Sequence, residues 1–412
     1  MTSFINIPTD SDFSIYNIPF GIGSIGDRSF VCTRVGDAII DLSILNNQGV
    51  FDTFSYKLDD KVFENEFLND FIALSKAVTT VIRTTIQTLL SSENNAATIE
   101  KVKKAFHTVD EVTMKLPIRI GDYTDFYSSR EHAYNVGVMF RDPSNALLPN
   151  WLHLPVGYHG RSSSIVVSGR DVKRPSGQTL PPNHESPVFG KTKQLDFELE
   201  MGFVVGKSTD IGTQVAIQNA EDHIFGLSLF NDWSARDIQK WEYVPLGPFL
   251  AKNFCSTISP WIITLEALEP FRIAGPVQEP QVMDYLKVDG MNNYDIALEV
   301  EITANDLSKT VVSHSNFKFM YWNMLQQLAH HTVNGCNINV GDLLASGTIS
   351  GPTPDSYGSM LEIAWKGTKP VTMTNGETRT FIQDGDTVTL KGHAQKDGIR
   401  VGFGECSGKI IG

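Results

Sequence analysis

Three short segments of this chain concentrate the residue types that acid–base and metal chemistry need. The first is Leu195-Asp196-Phe197-Glu198-Leu199-Glu200-Met201-Gly202-Phe203-Val204-Val205. Apolar and acidic residues alternate at its start. In a strand, Leu195, Phe197, Leu199, Met201 and Phe203 share one face, and Asp196, Glu198 and Glu200 share the other. Same-face neighbours stand roughly 7 Å apart. Three carboxylates at that spacing repel one another unless water screens them or a cation gathers them. A hard cation such as Mg2+ or Ca2+ takes this kind of all-oxygen ligand set. A half-exposed antiparallel strand with a solvated acidic face fits the alternation too.

The second segment runs from Asn231 to Pro245 and includes Asp232, Arg236, Asp237, Gln239 and Tyr243. Asn231 or Asp232 can cap a helix that Pro245, Gly247 and Pro248 end. On that helix Asp232, Arg236, Gln239 and Tyr243 fall at i, i+4, i+7 and i+11, one polar stripe. A carboxylate, a guanidinium, an amide and a phenol in a row suit a metal ligand followed by anion-binding donors. A solvated helix face is the alternative, and it accounts less well for the aromatics between them. The third segment is Asp122-Tyr123-Thr124-Asp125-Phe126-Tyr127-Ser128-Ser129-Arg130-Glu131-His132, with Arg141 shortly after. If it is helical, Asp125, Ser129 and His132 share a face. Of the ten histidines, His132 alone lies in a dense acidic, aromatic and basic mixture. That sets it apart, against the ordinary reading of a hydrogen-bonded structural histidine. His330-His331 reads as core or surface.

Other chemistries find no support. Gly206-Lys207-Ser208 resembles the end of a phosphate-binding loop, but Met201 stands where that loop needs glycine. Gly190-Lys191-Thr192 fails in the same way at Glu185. Cys255 has no visible base partner and reads as an inert cysteine. The four cysteines are far apart, with no C-x-x-C pair, so neither a disulfide framework nor a structural zinc site is expected. The formal net charge of −13 disfavours nucleic acid and anionic membrane as partners. No apolar stretch approaches the roughly 18 residues of a membrane span, and the start MTSFINIPTDSDF has no signal-peptide pattern. A cytoplasmic protein is the expectation.

The elements that must position these residues fall into two groups. With 412 residues, two domains are expected. Residues 1–118 read as a small β domain with helices. Phe30-Val31-Cys32 and Ala38-Ile39-Ile40-Asp41-Leu42 flank a Gly36-Asp37 turn, a hairpin. Apolar residues at mostly three- and four-residue steps predict an amphipathic helix over 66–90, and a short helix is expected over 98–107. Leu116-Pro117 marks the boundary. Residues 119–412 read as a large β-rich domain with one further helix at 316–332. Asp384-Gly385 and Asp397-Gly398 sit between strand-like runs, so the chain is expected to end in hairpins.

Long runs resemble the fumarylacetoacetate hydrolase family. They are Asp122 to Arg130, Pro149-Asn150-Trp151 through Gly157-Tyr158-His159-Gly160-Arg161, Leu195 to Glu200, Asn231 to Asp237, Gly341 to Gly351, and Gly358-Ser359-Met360-Leu361-Glu362. The resemblance implies a mainly β, α+β fold: a small N-terminal SH3-like β-barrel domain and a large C-terminal mixed β-sandwich roll. It implies a homodimer and a divalent cation, Ca2+ and/or Mg2+, held by Asp125, Glu198, Glu200 and Asp232; Asp196, on the same face, is not carried over. It places a general base at His132, held by Glu362, and oxyanion donors at Arg236, Gln239 and Lys252. Substrate contacts fall on Tyr127, Arg141, Tyr158, Gln239, Tyr243 and Thr348. A second, Mg2+ position would use Asp232, Lys252 and Ser256, where Cys255 and Ser256 replace an expected Gly and Thr.

The implied activity is hydrolysis of the C–C bond of 4-fumarylacetoacetate, a dicarboxylic β-diketo acid, to fumarate and acetoacetate. Relatives on the same fold that hydrolyse or decarboxylate another β-keto or acylpyruvate acid share the acidic cluster and are the nearest alternative. A non-catalytic binding protein would have lost the base or a metal ligand, and neither is lost.

Overall fold

The computed structural model, which describes residues 1–52 and 58–412, is mostly β, with strands in several sheets and modest helix content. Phe106–Thr108, Ala38–Asp41, Arg28–Val35, Gly21–Ile25 and Thr113–Met114 form, in that order, an antiparallel sheet. The Gly36-Asp37 hairpin is there, with Gly36 at φ 56°. The helix expected over 66–90 is instead two, Asn69–Ile72 and Lys76–Leu89. Ser75 between them takes φ 87°, which no helix accommodates. The next helix is Ala96–Lys103 rather than 98–107, because Phe106–Thr108 joins the sheet instead.

Two further sheets, of eight and five strands, carry most of the remaining strands. The first follows the path Gly157–His159, Tyr123–Phe126, Leu343–Ala345, Leu199–Val205, Ile224–Asp232, Ser256–Ile258 and Ile165–Val167. The second runs Lys309–Asn316, Ala297–Thr303, Thr387–Lys396, Ile399–Ile411 and Val172–Lys173. Asp397-Gly398 turns the expected hairpin between Thr387–Lys396 and Ile399–Ile411. Asp384-Gly385 does not: the strand before it, Thr378–Arg379, pairs backwards with Val371–Thr372. The helix expected over 316–332 shortens to Met324–Thr332. Asn323 accepts from the Gln326 amide at 3.1 Å while the Gln326 side chain accepts from the Asn323 amide at 3.2 Å, which fixes its start.

The first sheet is buried on both faces. Leu199, Met201, Phe203 and Val205 enter a core shared with the second sheet. Val204, Phe225 and Phe230 enter another, shared with Ile18, Phe20 and Phe71 of the N-terminal segment. Phe20 meets Phe71 at 4.7 Å between centroids, and Phe71 meets Phe225 edge-on at 6.3 Å. Each fully buried Phe contributes about 1.5–3 kcal/mol, so the N-terminal segment is an integral layer over this sheet.

Register decides where the carboxylates stand. Glu200 pairs directly with Phe230, and Asp232 lies two residues beyond Phe230. Asp125 lies two residues beyond Tyr123, which enters the same core as Phe230. The period of two therefore puts Asp125, Glu200 and Asp232 on one face of one sheet. Leu343–Ala345 separates the Asp125 strand from the Glu200 strand. Neighbouring strands are about 4.8 Å apart, so the two acids reach each other only across small residues, and Ala345-Ser346-Gly347 supplies them. Gly347 has φ 77°, and a Cβ there would lie 2.1 Å from the Phe126 carbonyl oxygen. Its amide donates to Glu200 Oε2 at 3.1 Å.

Candidate active site

Asp125, Glu198, Glu200 and Asp232 each offer a carboxylate oxygen, and these oxygens lie within 4.8 Å of one another. All four residues are buried, at 3%, 5%, 0% and 1% exposure. Every residue from Leu195 to Val205 is buried as well, which removes the solvated acidic face from consideration. Asp125 Oδ1 and Glu200 Oε1 are buried without a hydrogen-bond partner. An uncompensated buried carboxylate oxygen is costly, and an oxygen-seeking cation is the partner this donor set fits.

The electrostatics agree. Burial, and then the Asp232 carboxylate, pushes Asp125 well above the usual range. Burial, and then Asp125, does the same to Glu200. Burial raises Asp232 even against Lys252. Burial would also raise Glu198, but Lys252, Arg236 and His132 overcome it and hold that carboxyl at about 2. Lys252 Nζ donates to Glu198 and, at 2.6 Å, to Asp232 Oδ2. Arg236 Nη2 lies 2.8 Å from Glu198 Oε1. Ser256 Oγ donates to Asp232 Oδ1 at 2.8 Å, and Tyr158 Oη to Oδ2 at 3.2 Å.

Beside this cluster stands a histidine–carboxylate pair. His132 Nδ1 is 2.7 Å from Glu362 Oε2, and Glu362 is fully buried. Asn135 Nδ2 donates to Glu362 Oε1 at 3.0 Å, and Ser350 and Ser359 hydroxyls donate to Oε2 at 2.9 Å. Burial opposes ionisation, but His132 and these donors hold the Glu362 carboxyl below its usual value. An ionised carboxylate only accepts, so Nδ1 carries the proton and Nε2 is the basic nitrogen. His132 lies in the first turn of the helix Arg130–Phe140, and its amide donates to Ser129 Oγ, the N-cap, at 3.3 Å. Ser129 Oγ in turn donates to the Ser350 carbonyl at 3.0 Å. The Tyr127 ring stands edge-on to His132 at 5.2 Å.

The structure corrects two local expectations. Asp125 lies within the strand Tyr123–Phe126 and Asp232 ends the strand Ile224–Asp232, and neither lies on a helix. The reason is pairing: Asn231 and Asp232 are bonded into the sheet beside Thr257 and Ser256. The helix begins only at Arg236 and ends at Glu242. Within it Arg236 Nη1 donates to Gln239 Oε1 at 3.2 Å. Tyr243 caps its C-terminal end, 52% exposed. Arg141 ends the Arg130–Phe140 helix, its Nη2 on the Ala146 carbonyl at 2.5 Å. Thr348 is buried, one residue beyond Gly347. Cys255 is buried, its thiol pushed up to about 12 by that burial.

Three residues with work at this site were not singled out from the sequence: Asn135, Ser350 and Ser359 wrap Glu362, and no local pattern marks them. Asp196, marked by the acidic alternation but left without a role, also has partners here. It accepts from Arg236 Nε at 2.8 Å and from the amides of Met360 and Leu361 at 2.7 and 3.0 Å.

Comparison with known proteins covers the whole site. Residues 122–411 match the family described as Fumarylacetoacetate (FAA) hydrolase C-terminal, and residues 16–117 match Fumarylacetoacetase N-terminal. The chain is 56% identical to the fumarylacetoacetase of Dictyostelium discoideum, covering 100% of this chain and 98% of that one. It is 52% identical to that of Homo sapiens, over 99% and 98%. Among solved structures, a fumarylacetoacetate hydrolase from psychrophilic Exiguobacterium antarcticum superposes with a TM-score of 0.53 at 16% identity, over 96% of this chain and 99% of that one, a likeness of fold.

The raised carboxyls set a pH dependence. Without a cation, native Asp125, Glu200 and Asp232 hold protons that the unfolded chain releases above its ordinary carboxylate range. Stability from these groups therefore falls as pH rises from about 5 toward their raised values. Glu198, at about 2, is ionised in both states across that window and adds no slope. A cation held by these carboxylates would displace the protons. The Tm difference between protein saturated with Ca2+ or Mg2+ and protein in chelator should widen from pH 5 to pH 8, each kcal/mol appearing as about 1 °C in a chain of 412 residues. Thermal unfolding at several pH values measures it; a constant or shrinking difference would contradict proton-competitive binding at this cluster.

Proposed function

The chain belongs to the fumarylacetoacetate hydrolase family, and on that premise we infer that it hydrolyses the C–C bond of 4-fumarylacetoacetate to fumarate and acetoacetate, the last step of tyrosine and phenylalanine breakdown. The observation that carries the reading is the buried His132–Glu362 pair beside four clustered carboxylates, in a chain more than half identical to two fumarylacetoacetases.

We assign the residues as follows. Asp125, Glu198, Glu200 and Asp232 would hold a Ca2+ or Mg2+ ion, which would supply Lewis acidity and a template for a β-diketone. His132 Nε2 takes a proton from water as its oxygen attacks the carbonyl carbon. Glu362, kept ionised by its donors, fixes the tautomer and stabilises the imidazolium that forms. The charge on the carbonyl oxygen needs preorganised donors. Arg236 has five N–H groups and Lys252 three; Arg236 has three neighbours here and Lys252 two, so both keep N–H groups to offer, with Gln239 beside them. When the C–C bond breaks, its electron pair passes to the departing acetoacetate carbon, is delocalised onto the neighbouring keto group, and is then protonated. Tyr127, Tyr158, Tyr243 and Thr348 contact the substrate, and the Arg141 guanidinium anchors a terminal carboxylate. A protonated lysine has no lone pair for a metal, so a second, Mg2+ position rests on Asp232 and Ser256, with Lys252 a neighbouring charge.

We further propose that residues 1–118 are an SH3-like domain buttressing a β-sandwich roll of residues 119–412. The five-stranded antiparallel N-terminal sheet, whose strands pair only with one another, supports this. A cytosolic location accords with four free cysteines. A homodimer accords with the apolar residues displayed beside the site: Val244, Leu246 and Phe249 are 65%, 98% and 65% exposed, and Phe189 is 78% exposed on the adjoining hairpin. Trp241 Nε1 and Gln178 Oε1, 3.3 Å apart, join the two elements.

Two measurements check these readings. Steady-state kinetics on fumarylacetoacetate should show His132→Gln losing roughly 10²–10⁴ in kcat, Glu362→Gln a milder loss, and Arg141→Met a raised KM. Wild-type kcat in His132→Gln would remove it as the base. In sedimentation velocity the protein should run as a dimer, and Leu246→Asp combined with Phe249→Asp should run as a monomer; a monomeric parent, or an undisturbed dimer in the variant, would refute this interface.

A further inference from the structure

The site has two arms that belong to distant parts of the chain. Arg236, at the start of its helix, is one. Glu362, which holds His132, is the other. They must converge on one carbonyl carbon, and a misplacement of about 1 Å can cost on the order of 10²-fold in rate. One side chain touches both. Asp196 is fully buried. Its Oδ2 accepts from Arg236 Nε at 2.8 Å and from the Leu361 amide at 3.0 Å, and its Oδ1 accepts from the Met360 amide at 2.7 Å. Those amides open the short helix Met360–Ile363, whose next residue is Glu362.

The surrounding backbone leaves little slack. Asp196 pairs with Ser234 in the strand just before Arg236. Leu199 N donates to the Gly358 carbonyl at 2.9 Å, and Glu198 bridges to Ser359. The segment 358–361 is thus laid antiparallel along 196–199, with the Asp196 carboxylate tying its far end. Asp196 offers no atom to the four-carboxylate cluster. Its acceptor capacity is spent on the guanidinium and two amides.

We propose that Asp196 is the positioning residue that fixes the Arg236 arm and the His132–Glu362 arm against each other. The proposal rests on the functional reading above. Asp196→Asn tests it with little change of volume. An amide has one acceptor oxygen, so whichever way it is turned its NH2 faces a donor: the Met360 amide, or Arg236 Nε and the Leu361 amide. One arm loses its tether in either case. Asp196→Ser, which keeps an oxygen and leaves room for water, is the second variant.

Both variants should melt cooperatively and bind Ca2+ or Mg2+ by calorimetry within about threefold of the parent, since the cation ligands are intact. With fumarylacetoacetate, kcat should fall on the order of 10²-fold while KM moves less than about threefold. In double variants with Glu362→Gln and with Arg236→Lys, the combined losses should be smaller than the products of the single losses, because each pair shares one geometric function. A purely structural role would not produce that split or coupling to both arms. Parent-like kcat, a rise in KM alone, multiplicative losses in either double variant, cation affinity lost with turnover, or failure of both variants to fold would each overturn the proposal. If the parent itself does not cleave fumarylacetoacetate while forming the same folded, cation-binding site, it is the functional reading that falls.

Discussion

The rest of the structure depends on holding four carboxylates together out of water. Two such charges about 4 Å apart repel by roughly 4 kcal/mol at an effective dielectric near 20. Asp125, Glu198, Glu200 and Asp232 impose several such terms at once, and Lys252 and Arg236 form ion pairs with the cluster that offset part of them. The chain answers with unusual enclosure. A sheet covered on both faces presents three of the acids in register, the N-terminal segment seals one face, and the second sheet backs the other. A divalent cation would remove the remaining imbalance, and would then be a component of the folded site as well as of the proposed chemistry.

Seen this way, each cation-side and base-side group has one task. Glu198 stays ionised because it is shared by an ammonium and a guanidinium. Asp125 and Glu200 each keep an unpartnered oxygen. Glu362 accepts from Asn135, Ser350 and Ser359 and pairs with His132. The close approaches that permit this are backbone matters: Gly347 at φ 77° against Phe126, and Gly137, where a Cβ would lie 2.1 Å from the Ala146 carbonyl oxygen under the His132 helix.

Much of the site was legible because its signals are local and periodic. The Glu198/Glu200 spacing follows from the period of two, and the apolar partner face did pack as a core. Asp232 and Asp125 were also candidates, though assigned to helices. Their helical spacing is genuine in the sequence, and strand pairing with Ser256–Ile258 and Leu343–Ala345, tens to hundreds of residues away, overrides it. The break at Ser75 and the early start of the sheet at Phe106 are losses of the same kind. The donors around Glu362 were invisible, because Asn135, Ser350 and Ser359 meet only after folding. The roles of His132, Glu362 and Lys252 came from resemblance to a family, since no spacing links residues 132, 252 and 362.

The central claim is that a cation bound by the buried carboxylates is required for hydrolysis. Its most direct test follows the loss of diketone absorbance of fumarylacetoacetate with purified protein, after exhaustive chelation and again after adding back Ca2+ or Mg2+. The account predicts that turnover disappears on chelation and returns with the ion, fumarate and acetoacetate forming in equal amounts. Full turnover in the chelated protein, with the fold intact, would contradict it.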